Sequence, residues 1–177
     1  MAIDLKYGLN PHQEYARLLT DEDDSPLTVL NGTPGAINVM DALGAWPLAR
    51  ELEEATGKVG AASFKHVSPA GAAVARPISD SFRQCQMIPE ADLSPAATAY
   101  ARARGGDRMS SFGDCAALSD TVDVDVAELL RREVSDAIIA PGYEPEALEI
   151  LKQKKGGDYV IFKIDPAYEP PDREVKD

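Results

Sequence analysis

Short apolar runs alternate with longer amphipathic stretches along most of the chain, and that alternation predicts strands and helices in turn. A strand is expected from Leu27 to Leu30, closed by the turn formers Asn31-Gly32-Thr33-Pro34-Gly35. Beyond them Ile37, Met40, Gly44, Leu48, Leu52 and Ala55 recur at steps of three and four. The spacing predicts a helix running from Ala36 to Ala55 with those positions as its buried face. Pro47 lacks an amide for the helical ladder and predicts a kink or break near Trp46, and Gly57 predicts the C-terminal stop.

Val59-Gly60-Ala61-Ala62-Ser63-Phe64 reads as a short buried strand of small residues. Ser68-Pro69 and Ser94-Pro95 each read as an N-cap followed by proline at the first helical position. The second pair precedes a helix carrying Ala99-Tyr100-Ala101-Arg102-Ala103-Arg104. Strands at Ala116 to Leu118 and Ala137 to Ala140 flank an amphipathic stripe of Val126, Leu129, Leu130 and Val134. A helix from Glu144 to Lys154 then precedes a strand from Tyr159 to Ile164.

Strands alternating with helices predict a layered α/β fold with a largely parallel sheet, as one domain over residues 1–164. The run Asp21-Glu22-Asp23-Asp24-Ser25-Pro26 reads as an exposed loop, because clustered like charges repel and Ser-Pro favours a turn. The charged, proline-rich segment 165–177 reads as a linker or exposed arm. Ligands in such folds sit beyond the strand ends, where the loops gather.

The charge balance narrows the function. A net charge of −12 and a pI near 4.6 argue against nucleic-acid binding. An anionic substrate would need a local patch of cations against this field. The two cysteines, Cys85 and Cys115, do not indicate a disulfide framework and fit no familiar zinc spacing. No apolar run reaches the ~20 residues that span a bilayer, so no membrane association is expected. Met1 to Lys6 lacks a signal-peptide layout, which predicts a cytoplasmic protein.

The strongest local signal for chemistry is Lys65-His66, placed directly after a predicted strand and before a predicted helix start. Histidine can move a proton near neutral pH, and an adjacent ammonium can stabilise developing negative charge. The same dipeptide also fits an ordinary surface loop. Lys6-Tyr7-Gly8-Leu9-Asn10-Pro11-His12-Gln13 could place Lys6 on a phosphate and Tyr7 beside a ring, or form an ordered turn without function. Asn31 to Asn38 offers glycines that let a ligand approach backbone, yet lacks both the P-loop lysine and the GxGxxG order. Ser110-Ser111-Phe112-Gly113-Asp114 and Glu133-Val134-Ser135-Asp136 add polar groups near strand ends, where caps and turns account for them equally well.

Taken in order, these segments resemble one family. Lys6 to Gln13, Asn31 to Asn38, Ser63 to Gly71, Ala99 to Arg104, Met109 to Asp114, Glu133 to Asp136 and Ile138 to Tyr143 all match the formyltransferase part of the bifunctional AICAR transformylase/IMP cyclohydrolases. The resemblance covers nearly the whole chain. It implies a layered α/β/α fold similar to that of cytidine deaminases, present here as one copy of the family's tandem pair. It further implies transfer of a formyl group from 10-formyltetrahydrofolate to the 5-amino group of AICAR, giving FAICAR.

In that scheme Lys65 and His66 occupy the catalytic positions. His66 would take the proton of a delocalised, weakly nucleophilic amine, and Lys65 would stabilise the oxyanion or assist the departing folate nitrogen. Lys6, Tyr7, Ile37, Asn38, Gly113 and Asp136 would hold AICAR. No metal is required for this chemistry. The deaminase signature H-x-E with P-C-x-x-C is absent, since Val67 and Ser68 follow His66. Two departures stand out: Lys6 replaces the family's usual arginine, a point charge for a bidentate fork, and Ala137 replaces a common glycine.

The family's second copy supplies much of the folate site. The resemblance therefore implies a homodimer, or a hetero-assembly with a chain supplying the second half. Ring closure to IMP is not expected, because the cyclohydrolase domain has no counterpart here. The alternative is a non-catalytic module that binds AICAR or another nucleotide, or that pairs with a full-length enzyme.

Overall fold

The computed structural model describes residues 2–19 and 25–170, so the acidic loop at Asp21 to Asp24 and the end of the tail, 171–177, lie outside the described residues. In chain order the elements are β1 (Ala2–Asp4), β2 (Arg17–Leu19), β3 (Leu27–Asn31), α1 (Ala36–Thr56), β4 (Gly60–Lys65), β5 (Ser68–Val74), α2 (Asp80–Cys85), α3 (Pro95–Gly106), β6 (Asp114–Leu118), α4 (Val124–Arg132), β7 (Ser135–Ala140), α5 (Pro145–Lys152) and β8 (Val160–Ile164). A 3₁₀ turn at Lys154–Gly157 leads into β8.

Six strands form one sheet in the order β3-β8-β7-β6-β4-β5, while β1 and β2 pair separately. The expected largely parallel sheet is corrected to a mixed one. β6–β7 and β7–β8 are parallel, whereas β3–β8, β4–β5 and β4–β6 are antiparallel. The cause is local. His66 and Val67 form a two-residue link that turns the chain straight back, so the segment after Lys65 pairs with β4. The helix expected to start at Ser68-Pro69 is therefore a strand. Pro69 is tolerated there because β5 is an edge strand, where the missing amide costs no ladder bond on the open side.

Alternation along the strands defines three layers. Ala62, Phe64, Cys115, Ala117, Ala137 and Ile139 face α1, together with Val39, Ala42, Ala45, Trp46 and Ala49. Ala61, Ala116, Leu118, Ile138 and Ala140 face the opposite core, built with residues of α3, α4 and α5. The Ser94-Pro95 expectation holds: Ser94 Oγ accepts from the Ala97 amide at 3.1 Å and opens α3. Gly57 ends α1 in a left-handed conformation, its amide donating to Glu53.

Of the kink or break expected near Trp46, the break does not occur: α1 is continuous through Pro47, with buried Ala45, Trp46 and Ala49 holding it to the sheet on both sides of the missing bond. Its buried face also differs from the expected stripe: Met40 is 42% exposed and Ala55 is exposed. Two apolar stripes overlap at helical spacing, and the sheet takes the one richer in alanine because the layers approach closely. A Cβ on Gly60 would run into the Ala49 carbonyl, and one on Gly71 into the Ala103 carbonyl.

The reversal at His66-Val67 brings the end of β4 beside the start of β6, with Phe64 opposite Cys115. The end of β3 likewise lies beside the start of β8, with Asn31 opposite Ile161. The expected cluster of loops therefore forms at the amino ends of the parallel strands. At the other end of the chain Tyr168 folds back, its carbonyl accepting from Arg50 at 2.7 Å.

Gly71→Ala should force α3 away from β5 and cost about 1–3 kcal/mol of stability, read as a lower urea midpoint at unchanged slope.

Candidate functional site

The link between β4 and β5 carries His66 at φ 52° and Val67 at φ 60°, with Lys65 and Ser68 as the flanking ladder pair. Positive φ at both central residues is the hallmark of a type I′ hairpin, normally supplied by asparagine and glycine. A β-branched valine there is strained. The turn is pinned from α1: the Val67 amide donates to Asp41 Oδ1 at 2.5 Å. Asp41 is only 5% exposed. Burial raises its carboxyl above the ordinary range, against the Val67 amide and His66, which favour the charged form. His66 is exposed at the tip of this turn. The helix expected to begin at Pro69 is absent, so no helix start adds positive potential from that side.

Lys65 reaches the other way. Its Nζ donates to the Phe112 carbonyl and lies 6.0 Å from the centre of the Phe112 ring. Gly113 follows at φ +78°; a Cβ there would sit 3.4 Å from Asp136 Oδ2 and 3.6 Å from Lys65 Nζ. Glycine thus leaves open the space between an ammonium and a carboxylate. Asp136, near the start of β7, also takes an ion pair from Lys155. The structure brings Lys65, His66, Gly113 and Asp136 into one neighbourhood, with the carboxylate of Asp41 in electrostatic reach of both His66 and Asp136.

The remaining residues named from sequence surround the start of α1. Lys6 Nζ lies 3.3 Å from Asp158 Oδ2, and the Thr33 amide donates to Asp158 Oδ1 at 3.3 Å. Those two contacts hold the Asp158 carboxyl below its ordinary range. The Tyr7 ring packs on Gly35, where a Cβ would come within 3.2 Å, and the Tyr7 carbonyl accepts from Ala36. Asn38 turns back to cap α1, its Oδ1 accepting from the Gly35 amide at 2.9 Å. Ile37 is half-buried in the first turn of the helix. These four sit beside the Lys65 group rather than inside it, linked through Asp158 and Lys155.

Beneath the cluster lies a buried polar network. Arg104 Nη1 is 2.9 Å from Asp114 Oδ1, and Arg104 Nε is 3.2 Å from Glu133 Oε2. The guanidinium also donates to the carbonyls of Ser111 and Val134. Ser63 Oγ donates to Asp114 Oδ2 at 2.7 Å, and Ser135 bonds the Asp114 carbonyl and the Tyr159 hydroxyl. Burial raises the Asp114 carboxyl, while Arg104 and the serines pull it down. The network fixes the segments carrying Gly113 and Asp136.

An open cleft of about 450 Å³ runs along the turn, lined by Lys65, His66, Ser68, Asp107, Met109 and Ser110. A larger open hollow of about 820 Å³ lies beside α2 and contains none of the cluster's residues. Among the described residues no three His, Cys, Asp or Glu side chains converge as metal ligands, and no helix is long and apolar enough to cross a membrane. An exposed imidazole can take a proton, and an ammonium carried by the preceding residue can hold developing negative charge.

The sequence model of the AICARFT/IMPCHase bienzymes matches residues 1–177. This chain belongs to that family. It is 34% identical over 172 residues to the bifunctional purine biosynthesis protein PurH of Thermoanaerobacter sp. (strain X514), covering 95% of this chain and 29% of that protein. It is 31% identical over 153 residues to PurH of Elusimicrobium minutum, covering 86% and 25%. With PurH of Petrotoga mobilis it shares 31% over 156 residues, covering 86% and 26%. The chain thus spans under a third of the length of each of these relatives.

In this family member the site includes residues that reading the sequence missed. Asp41 was hidden among the apolar positions of a helix, where a lone acid on the buried side is the signal. Lys155 and Asp158 lie in the loop Lys154-Lys155-Gly156-Gly157-Asp158, whose Lys155, Gly156 and Gly157 all have positive φ. Lysines and glycines just before a strand would have marked it.

Arg104→Met should leave Asp114 buried without its partner and cost about 3–5 kcal/mol in urea unfolding. Val67→Gly should relieve the turn and raise stability by about 0.5–1 kcal/mol, after the extra flexibility of unfolded glycine, seen as a higher Tm.

Proposed function

We propose that this chain acts in purine biosynthesis as a formyltransferase component that moves a formyl group from 10-formyltetrahydrofolate to the 5-amino group of AICAR. The observation that carries the reading is His66 exposed on a strained, carboxylate-pinned turn next to Lys65, whose Nζ reaches the opening that Gly113 leaves beside Asp136. Membership of the AICARFT/IMPCHase bienzyme family supports it, and the relatives, named as bifunctional purine biosynthesis proteins, support the place in purine biosynthesis.

The amine nitrogen attacks the formyl carbon, and His66 takes the proton that the nitrogen sheds. Lys65 stabilises the oxyanion of the tetrahedral intermediate. The bond from the formyl carbon to the folate nitrogen then breaks, and that nitrogen leaves with the proton that His66 had taken, giving FAICAR and tetrahydrofolate. Lys6 holds the phosphate as a point charge, and Tyr7, Ile37, Asn38, Gly113 and Asp136 position the ring and carboxamide. On this reading the three-layer fold is one cytidine-deaminase-like unit working without zinc in the cytoplasm. A second half, from a dimer mate or another chain, completes the folate side.

The test is folate-dependent formylation of AICAR by the chain alone and with a chain carrying the second half. His66→Ala should lower turnover by ~10²–10⁴-fold while calorimetry shows AICAR binding retained. AICAR binding by the wild-type chain with no formyl transfer in any combination would replace this reading with that of a binding module.

A further inference from the structure

The reading above gives His66 a role, and the structure shows that the imidazole stands on an improbable piece of backbone. His66 and Val67 both adopt left-handed φ, which costs an L-residue about 1–2 kcal/mol each relative to the right-handed region. The flanking ladder pair Lys65–Ser68 fixes both ends of the turn. The conformation of two residues between them thus decides where the imidazole points.

We propose that Asp41 is the positioning residue of this site, holding the His66-Val67 turn in its left-handed form and so aiming the His66 imidazole. Asp41 lies on α1, whose neighbouring buried positions are Val39, Ala42, Ala45 and Trp46. A carboxylate in that company is costly unless it is hydrogen-bonded. The partner it finds is the Val67 amide, at 2.5 Å, and His66 lies within electrostatic reach of the same carboxylate. The pairing is mutual: the acid receives a donor in an otherwise apolar layer, and the strained turn receives a charged acceptor that favours its amides pointing inward. With the acceptor gone, the turn is free to relax toward ordinary φ, and His66 swings with it. Asp41 touches no reacting atom on this account. It acts through His66, and the catalytic meaning of the proposal rests on the base role given to His66 above.

Solution NMR separates the hold on the turn from the chemistry. The chain has two histidines, so the ring signals of His66 are assigned against His12 with a His66→Gln sample. In the wild-type chain the Val67 amide proton, bonded to a carboxylate, should resonate downfield and exchange slowly. Asp41→Ala should speed that exchange by at least ~10-fold, the loss of one charge-assisted hydrogen bond, and shift the His66 ring signals. Asp41→Asn keeps an acceptor oxygen and should retain most of both properties. Adding Val67→Gly to Asp41→Ala should return the His66 signals toward their wild-type positions, because glycine adopts the turn without help. In formylation with the completed site, Asp41→Ala should lower kcat by ~10²-fold with little change in KM for AICAR, and Val67→Gly should restore most of it.

His66 ring signals that stay in place in a folded Asp41→Ala chain overturn the proposal. So does a kcat loss that Val67→Gly leaves unrepaired. Absence of formyl transfer by the wild-type assembly overturns the reading of the site instead, while the spectra still decide whether Asp41 holds the turn. Should Asp41→Ala not fold, Asp41→Leu, which removes the acceptor while filling the apolar layer, gives the same comparison, and Val67 exchange as slow as in the wild type with His66 ring signals in place counts against the hold.

Discussion

Arg104 and Asp114 meet 2.9 Å apart in a layer where the side chains are 5% and 0% exposed. Removing two charges from water is expensive, and a buried pair of this kind adds little net stability over well-packed apolar residues. What it fixes is position. The guanidinium comes from α3 and grips the carbonyls of Ser111 and Val134, while the carboxylate opens β6 and takes the Ser63 hydroxyl of β4. Four separate segments are thereby locked in mutual register. Gly113 stands directly before Asp114, and Asp136 directly after Ser135, which also bonds the Asp114 carbonyl. The exposed chemistry stands on this buried lattice, and a loose lattice would let the space beside Gly113 collapse.

Much of the fold was legible in the chain because the relevant signals are local. The Ser94 cap, the stop at Gly57 and the helix opened by Pro145 depend on neighbours within a turn or two. Strand direction does not. Ser68-Pro69 carries the same letters as Ser94-Pro95, yet two strained residues ahead of it turn the chain into a hairpin. Strain at His66 and Val67 is bought by a contact from Asp41, residues away in the sequence, and no local pattern reports it. The face of α1 failed for a related reason. Its two stripes are equally periodic, and the choice belongs to Gly60 and Phe64 of the sheet, which come close against Ala49 and Gly44 of the helix.

The site divides in the same way. Lys65, His66, Gly113 and Asp136 were named together through resemblance, and they share a neighbourhood. Composition and spacing alone marked Lys65-His66 as a candidate that an ordinary loop explained as readily, and left Gly113 and Asp136 between caps, turns and a site. Lys6, Tyr7 and Asn38 belong to the start of α1, where Asn38 already serves as a cap. The charges that join the two groups, Lys155 and Asp158, sit in a loop whose significance appears only once β8 is placed beside β3 and β7.

The pinned turn also implies a sequence of events during folding. Asp41, His66 and Val67 lie within one contiguous stretch, α1 through β5, and their contact closes a short loop at low entropic cost. Gly113, Asp136 and Lys155 come from later segments that reach the same place only when β6, β7 and β8 align in parallel. Parallel alignment needs long crossovers and is the slow part of assembling such a sheet. The turn that carries the imidazole thus depends on contacts within one stretch of chain, whereas the opening beside Gly113 needs three later strands in place.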